Sequence, residues 1–215
     1  PRSSGIELLQ NEDRDYLYSE SEIRVYGRHD VDSLRLWGGM RLPVDGDVTR
    51  RLLAGWTSRK DAFSDWILDD PTGEIDVPEP PDRTVSGPTF GYQRRADRYR
   101  VVTGFRAWSK QEDVALGPDY DLGLTVSLPE LGGDVDRILF DGTLSTALEA
   151  GPWLLVGSSW FEGRLDQGDM HNWVVGFQGV ATQLGPRGLQ ARLMVESSYE
   201  LDPERQLALG AVAHD

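Results

Sequence analysis

Apolar and polar residues alternate with a period of two through most of this 215-residue chain. Leu122, Leu124 and Val126 alternate with small or polar residues, and the same alternation recurs over residues 173–181 and 189–199. Successive side chains of a β-strand point to opposite faces, so this pattern predicts strands that are apolar on one face only. No window of comparable length shows the 3.6-residue period of an amphipathic helix. The sequence therefore predicts an all-β fold.

Turn-forming residues separate the alternating segments, as at residues 43–47 and 185–188. The longest connection lies near residues 69–88 and is acidic and rich in proline. Because the strand pattern is alike on both sides of it, we interpret it as a surface loop of one domain that spans residues 1–215. We predict an antiparallel meander of about ten to twelve strands, near residues 5–12, 20–29, 33–42, 48–60, 87–95, 98–109, 120–129, 137–149, 153–163, 171–184, 188–200 and 204–210.

The predicted strands are long. Many cover about 10 to 14 residues, whereas strands of soluble proteins usually have about 5 to 6 and membrane-spanning strands about 9 to 11. A mean hydropathy of −0.44 is compatible with membrane-spanning strands, because only alternate residues of such a strand need to be apolar. We therefore expect the chain to form part of a β-barrel in a bacterial outer membrane, with the lipid bilayer as its partner.

The segment 189–200 predicts which side chains would face lipid and which would face the lumen of such a barrel. Arg192 and Glu196 lie on one side of this strand, and we predict that they line the lumen. The side chains predicted to face lipid lie on the other side and are Leu189, Leu193, Val195 and Tyr199.

Aromatic residues near strand ends support the same interpretation. Trp153 follows a turn and Trp173 opens a predicted strand. Amphipathic rings at strand ends form the interfacial girdles of outer-membrane barrels. We therefore assign both tryptophans to the lipid-facing surface or to its girdle.

Charge and composition argue against several other functions. A net charge of −14 argues against nucleic acid as a partner, because phosphates would repel such a surface. The chain has no cysteine, and its three histidines are far apart in sequence. The acidic residues Asp134, Asp136 and Asp141 do not have the spacing of a helix–loop–helix calcium site. We predict no catalytic residue, no cofactor and no metal.

Residues 99–106 and 113–117 (Asp-Val-Ala-Leu-Gly) resemble a strand and loop of the bacterial surface antigen superfamily of outer-membrane barrels. Residues 189–196 resemble its closing strand, and residues 201–210 resemble the leucine- and glycine-containing ending that precedes a loop with an Arg-Gly-Tyr motif. The likeness covers about residues 90–215, and the motif itself would be expected just beyond Asp215. The resemblance implies a fragment of a barrel that closes with about 16 strands.

Three hypotheses for the function are open at this point. The resemblance implies translocation of polypeptide or insertion of membrane proteins, or a surface antigen of unassigned role. The alternative is a soluble β-sandwich that binds carbohydrate through exposed aromatic residues, because a sandwich with one solvated face also alternates. The sandwich requires a second sheet packed against the apolar stripe of residues 189–199, and the barrel requires that stripe to point outward. A soluble enzyme on the same scaffold is a third, weaker hypothesis.

Overall fold

The computed structural model describes residues 2–9, 14–20, 23–43, 46–69, 79–103, 111–183 and 190–199. These residues form twelve β-strands and one short 3-10 helix, Pro129–Leu131. The strands are β1 (Arg2–Leu9), β2 (Arg14–Glu20), β3 (Ile23–Leu42), β4 (Val48–Asp69), β5 (Arg83–Ala96), β6 (Tyr99–Thr103), β7 (Gln111–Ala115), β8 (Asp119–Ser127), β9 (Arg137–Ala150), β10 (Trp153–Asp166), β11 (Asp169–Gln183) and β12 (Gln190–Tyr199).

One antiparallel sheet contains every strand except β6 and β7, and its order is β1-β3-β4-β5-β8-β9-β10-β11-β12. Each strand from β3 onward pairs with the next one along the chain, apart from the β6–β7 hairpin between β5 and β8. β1 and β2 pair with the same edge of β3, at residues 33–40 and 23–29 respectively. The predicted all-β antiparallel meander is confirmed. Within the described ranges no pairing joins β12 to β1 or β2.

Several strand predictions differ from the structure; β2 (Arg14–Glu20) is not among the predicted strands, and β4 extends to Asp69 instead of residue 60. Residues 20–29 and 33–42 belong largely to the single strand β3, whose middle is held in register by β4. Residues 98–109, predicted as one strand, begin with the first strand of a short hairpin instead. β5 begins at Arg83, so residues 83–88 of the predicted loop are strand, while residues 70–78 lie outside the described part of the chain. The predicted strand at 204–210 also lies outside it.

The register divides the side chains of the long strands between two faces, because directly opposed residues point the same way. We call the first the apolar face. Its large hydrophobic residues include Leu34, Leu36, Met40, Leu52, Trp56, Phe90, Leu122, Leu124, Ile138, Phe140, Leu144, Leu148, Leu155, Phe161, Met170, Val175, Phe177, Leu193, Val195 and Tyr199. We call the other the polar face. It includes Arg35, Arg51, Thr57, Asp61, Thr89, Asp121, Asp141, Ser145, Ser158, Glu162, Gln178 and Arg192.

The two faces differ sharply in exposure. Twenty large hydrophobic side chains of the described residues are exposed, and all but Tyr99, Val101 and Met194 belong to the apolar face. The buried side chains of the long strands lie almost entirely on the polar face, as at Phe63 and Leu154. This difference indicates that the sheet curves toward its polar face. The apolar face is left uncovered by the part of the chain that the structure describes.

Positive φ angles mark the turn and the bulge of the β10–β11 pair. Gln167 (φ 53°) and Gly168 (φ 103°) form the two-residue connection between these strands, and positive φ at both positions is the geometry that matches the twist of a hairpin. Asn172 (φ 50°) lies in the bulge where the register shifts.

Among the described residues no helix is long and apolar enough to cross a membrane.

Candidate functional site

The centre of the polar face carries hydroxyl groups in a row. The Oγ1 atoms of Thr57 and Thr89 are 2.7 Å apart, and those of Thr89 and Thr125 are 2.9 Å apart. These residues lie on β4, β5 and β8, so the row crosses three neighbouring strands. A hydroxyl group can both donate and accept a hydrogen bond, so the three threonines bond to one another without any charged partner. The surface that they form is polar and can contact water.

One patch of the polar face is apolar. Ala147, Leu154, Val156 and Val180 lie side by side on β9, β10 and β11, close to the end where β9 turns into β10. The β6–β7 hairpin packs on this patch, and it contributes Val102 and Val114 to the same buried cluster. Burial of these side chains supplies the hydrophobic free energy that holds the hairpin against the sheet.

Polar contacts fix the position of the hairpin as well. Arg100 Nη1 of β6 lies 2.7 Å from Glu149 Oε1 of β9. The backbone N–H of Gly117 donates to the carbonyl of Ala147, at 3.3 Å. Both contacts join the hairpin region to β9. The hairpin therefore lies against the polar face of the sheet and does not extend away from the strand ends. Arg100 and Glu149 are about half and one third exposed, so screening by water leaves their ion pair a small contribution.

A cavity of about 520 Å³ lies beside this cluster, between β7 and the polar face of β9 to β12. The hairpin side is formed by residues 111–115 of β7, in which Glu112 pairs with buried Val102, whereas Asp113 pairs with exposed Val101 on the other face of the hairpin. The sheet side carries hydroxyls, an amide and a guanidinium, from Ser145, Ser158, Gln178 and Arg192. The sheet side of the cavity is thus polar and includes the basic group of Arg192. It can bind polar solutes through hydrogen bonds and opposite charges.

A buried ionic network occupies the opposite end of the polar face. Arg137 Nε donates to Asp166 Oδ1 at 2.7 Å, and Arg137 Nη1 donates to Asp134 Oδ1 at 3.1 Å. Arg164 Nε donates to the second oxygen of Asp166 at 2.8 Å. Arg137 is buried, so its charge depends on these carboxylates for compensation. The network ties the connection between β8 and β9 to the β10–β11 hairpin.

A second buried ionic group lies on β3 and β4. His29 Nε2 is 2.7 Å from Asp61 Oδ1, and Arg59 donates to both oxygens of that carboxylate, at 2.6 and 2.8 Å. Burial by itself would raise the pKa of Asp61, but hydrogen bonds and charge attraction from Arg59, and then from His29, hold this pKa below its usual range. The His29 ring also stacks on Phe63, with 4.4 Å between ring centroids. These contacts join β3 to β4, so we interpret the group as structural.

Aromatic residues of the apolar face cluster toward the two ends of the strands. Phe140 and Phe161 surround Trp173, with ring centroids 5.2 and 6.3 Å from it. Tyr199 lies directly opposite Trp173 on β12. At the other end Tyr92 and Tyr120 are in contact, with centroids 5.6 Å apart. Trp153 opens β10 at that same end.

The residues predicted from the sequence fall as follows. Leu193, Val195, Tyr199, Trp153 and Trp173 lie on the apolar face. Arg192 lies on the polar face and lines the cavity. Glu196 pairs with Gly176, which holds a polar-face position of the register, while Leu189 lies outside the described residues. The assignment of these residues to lipid and to a lumen stays a prediction.

The sequence did not predict the hairpin, the apolar patch on which it packs, or the two ionic groups. Arg137 and His29 stand at the ends of two predicted strands, but their burial is visible only in the structure. Among the described residues no three metal-binding side chains come together. Asp134 instead accepts a hydrogen bond from Arg137, and the backbone carbonyl of Asp136 accepts one from the N–H of Gln167.

Neither a comparison with protein-family models nor one with curated proteins finds a match for this chain. The fold and its two faces define an amphipathic antiparallel meander. The resemblance of residues 90–215 to the surface antigen superfamily stays a prediction.

Proposed function

We propose that this sheet is part of the wall of a transmembrane β-barrel in a bacterial outer membrane. The apolar face carries this proposal. Its large side chains are exposed, as at Met40 (56%), Phe177 (46%) and Leu193 (59%), and they continue across eight neighbouring strands from β3 to β12. Monomeric soluble proteins rarely expose an apolar surface of this extent, and lipid would cover it.

The length of the apolar stripes supports the same proposal. The stripe of β9 runs from Ile138 to Leu148 and that of β12 from Ala191 to Tyr199. Each covers about 9 to 11 residues, the length that a tilted strand needs to cross a bilayer. β3 and β4 are longer, but the residues of this face that come next after Leu34 and Trp56 are polar, namely Asp32, Ser58 and Lys60.

The stagger of the stripes is a further support. The stripe of apolar residues on β3 ends at Leu42. A row of paired residues crosses the sheet from Leu42, one residue on each strand, and reaches Leu144 on β9. That row runs through Arg50, Arg94 and Tyr120. On β9 the stripe continues past this row to Leu148. Strands that tilt relative to a membrane produce such a shift from strand to strand.

The soluble β-sandwich requires a second sheet against the apolar face. In the described ranges that face is exposed, and the small β6–β7 hairpin packs on the other face. We therefore favour the barrel over the carbohydrate-binding sandwich. The resemblance to the surface antigen superfamily supports polypeptide translocation or membrane-protein insertion as the role of the barrel, with no catalytic chemistry of its own.

Fractionation of cells that express the protein tests the location. We expect it in the outer-membrane fraction, extractable with detergent, and migrating differently on a gel before and after heating, because folded barrels resist unheated detergent. Clean recovery in the soluble fraction without detergent would overturn the proposal.

Depletion of the protein from cells tests the proposed role in translocation or insertion. We expect the amounts of other outer-membrane or exported proteins to fall, because their passage or assembly would depend on this barrel. Unchanged amounts of those proteins would contradict both translocation and insertion.

A further inference from the structure

Two arginines stand directly opposite each other at one end of the apolar face. Arg50 of β4 pairs with Arg94 of β5, in the row where the apolar stripe of β3 ends at Leu42. Directly opposed residues of antiparallel strands have their Cα atoms about 4.5 to 5.5 Å apart and their side chains on the same face. Like charges in such a pair repel each other and destabilise the sheet. An anion between the two guanidinium groups would remove this repulsion.

The described residues supply no carboxylate for these two arginines. In their row and in the rows beside it, no paired position of the apolar face carries Asp or Glu. Arg94 donates to the backbone carbonyl of Pro118 and lies 5.9 Å from the ring centroid of Tyr120, but neither contact neutralises its charge. Arg50 is exposed, and no hydrogen bond or ion pair joins it to another described residue.

The other end of the same face has a different arrangement of charges. There Asp32 of β3 stands directly opposite Lys60 of β4. Asp30, two residues along on the same face, accepts a hydrogen bond from Arg28 at 3.1 Å. Charges on the apolar face are therefore matched at that end and are left as a positive pair at the end described above. This positive pair is a local exception in a chain whose net charge is −14.

Hydrophobic and aromatic side chains adjoin the arginine pair on the same face. The next row toward the middle of the sheet consists of Leu52, Tyr92 and Leu122, and both leucines are exposed. Guanidinium groups bind phosphate through parallel N–H donors. A positive pair followed by an exposed apolar surface therefore matches the order of a phosphate head group and its acyl chains.

We propose that Arg50 and Arg94 bind the phosphate of an anionic membrane lipid, whose acyl chains lie along the apolar face over Leu52 and Leu122. The inference rests on the proposed placement of this face in lipid and adds a binding site of defined chemistry at its edge. A lipid whose head group carries its own cation binds less tightly, because that cation offsets the charge of the phosphate. Free phosphate compounds lack the acyl chains and bind less tightly as well.

Native mass spectrometry of the full protein in detergent tests the site. The protein is mixed with dioleoylphosphatidylglycerol, which is anionic, or with dioleoylphosphatidylcholine, which is zwitterionic and has the same acyl chains. We expect about 25-fold tighter binding of the anionic lipid, since each arginine near anionic lipid contributes about fivefold. Glycerol 1-phosphate at the same concentration as the lipid should not displace it.

Substitutions separate the arginine pair from charge in general. R50Q and R94Q should each lower the preference for the anionic lipid about fivefold, and the double variant should lose it. R51Q is the matched control, because Arg51 is the next residue of β4 and belongs to the polar face, so its preference should be unchanged. Without lipid, R50Q should unfold in urea no earlier than the unchanged protein, because it removes a repulsion.

Four results would each overturn the lipid site. They are equal binding of the two lipids, a preference that the double variant keeps or that R51Q also loses, displacement by glycerol 1-phosphate, and earlier unfolding of R50Q without lipid. Binding in detergent does not depend on cellular location. A protein from the soluble fraction with an arginine-dependent preference would therefore overturn only the outer-membrane proposal, and an outer-membrane protein without the preference would overturn only the site.

Discussion

His29 Nε2 lies 2.7 Å from Asp61 Oδ1, and both side chains are buried on the polar face, beyond the apolar stripes of β3 and β4. The Asp61 carboxylate also accepts two hydrogen bonds from Arg59. This small ionic group joins β3 to β4 beyond the end of their apolar stripes, near the register shift between Tyr26 and Arg28. Internal bonds between charged side chains replace part of the hydrophobic burial there.

D61N should lower the free energy of unfolding by about 1 to 3 kcal/mol at neutral pH, because it removes the charge that accepts from Arg59 and His29. The folded-state pKa of Asp61 lies below its unfolded value. The carboxylate therefore stabilises the fold above about pH 3.9, and this contribution is lost as the pH falls through the folded pKa. Urea unfolding in detergent at neutral and acid pH measures the difference, which should shrink in acid.

D30N is the control for this prediction. Asp30 pairs with Arg28 at 3.1 Å, but both side chains are more than two fifths exposed. An exposed pair contributes about 0 to 1 kcal/mol. Equal losses in D61N and D30N, or a D61N loss that grows in acid, would contradict the role given to Asp61.

G87A should destabilise the protein by about 1 to 3 kcal/mol or more, because a Cβ at Gly87 would come within 1.9 Å of the backbone oxygen of Val126. That oxygen belongs to the neighbouring strand and cannot move aside. G38A is the matched control, since a Cβ at Gly38 meets nothing within 4 Å. It should be neutral or slightly stabilising by the usual preference for alanine over glycine in strands. Unfolding midpoints of the two variants check the contrast, and a stable G87A would show that β5 and β8 are further apart.

L154A should cost about 2 to 5 kcal/mol, because Leu154 is fully buried under the β6–β7 hairpin and its truncation leaves a void. L155A changes the next residue, which is on the apolar face and 40% exposed. It should cost about 1 kcal/mol or less. The same urea titration compares them. A larger loss in L155A would mean that the hairpin does not cover this end of the sheet.

R137Q should cost about 3 to 5 kcal/mol, since it leaves Asp166 and Asp134 without their main cationic partner in a buried site. R51Q, on the exposed part of the polar face, should change stability by about 0.5 kcal/mol or less. Urea unfolding of both variants gives the comparison. A stability of R137Q close to that of R51Q would show that Arg164 alone compensates Asp166.

The period-two pattern was sufficient to predict the strands from β8 to β12, because each of them has one apolar and one polar face over most of its length. Residues 30–32, between two predicted strands, carried no such signal. There Asp30 and Asp32 stand beside buried Val31, and only pairing with neighbouring strands keeps the segment extended. Pairing across the sheet is a nonlocal interaction that a local pattern cannot reveal.

The hairpin was missed for a related reason. β7 is five residues long and has one buried large residue, Val114. The hairpin packs on Ala147, Leu154 and Val180, which are distant from β7 in sequence. The alternating pattern puts Arg192 and Leu193 on different faces of β12, but the cavity around Arg192 depends on where the hairpin packs.

The most direct test of the central claim, that the apolar face lies in lipid, uses two adjacent residues of β11. F177C and Q178C, each carrying a nitroxide spin label in the otherwise cysteine-free protein, are reconstituted in lipid vesicles. Collisions with oxygen, which concentrates in lipid, and with a water-soluble nickel chelate are measured for each label. We predict high oxygen and low nickel accessibility at F177C and the reverse at Q178C. Equal or greater nickel accessibility at F177C would contradict the claim.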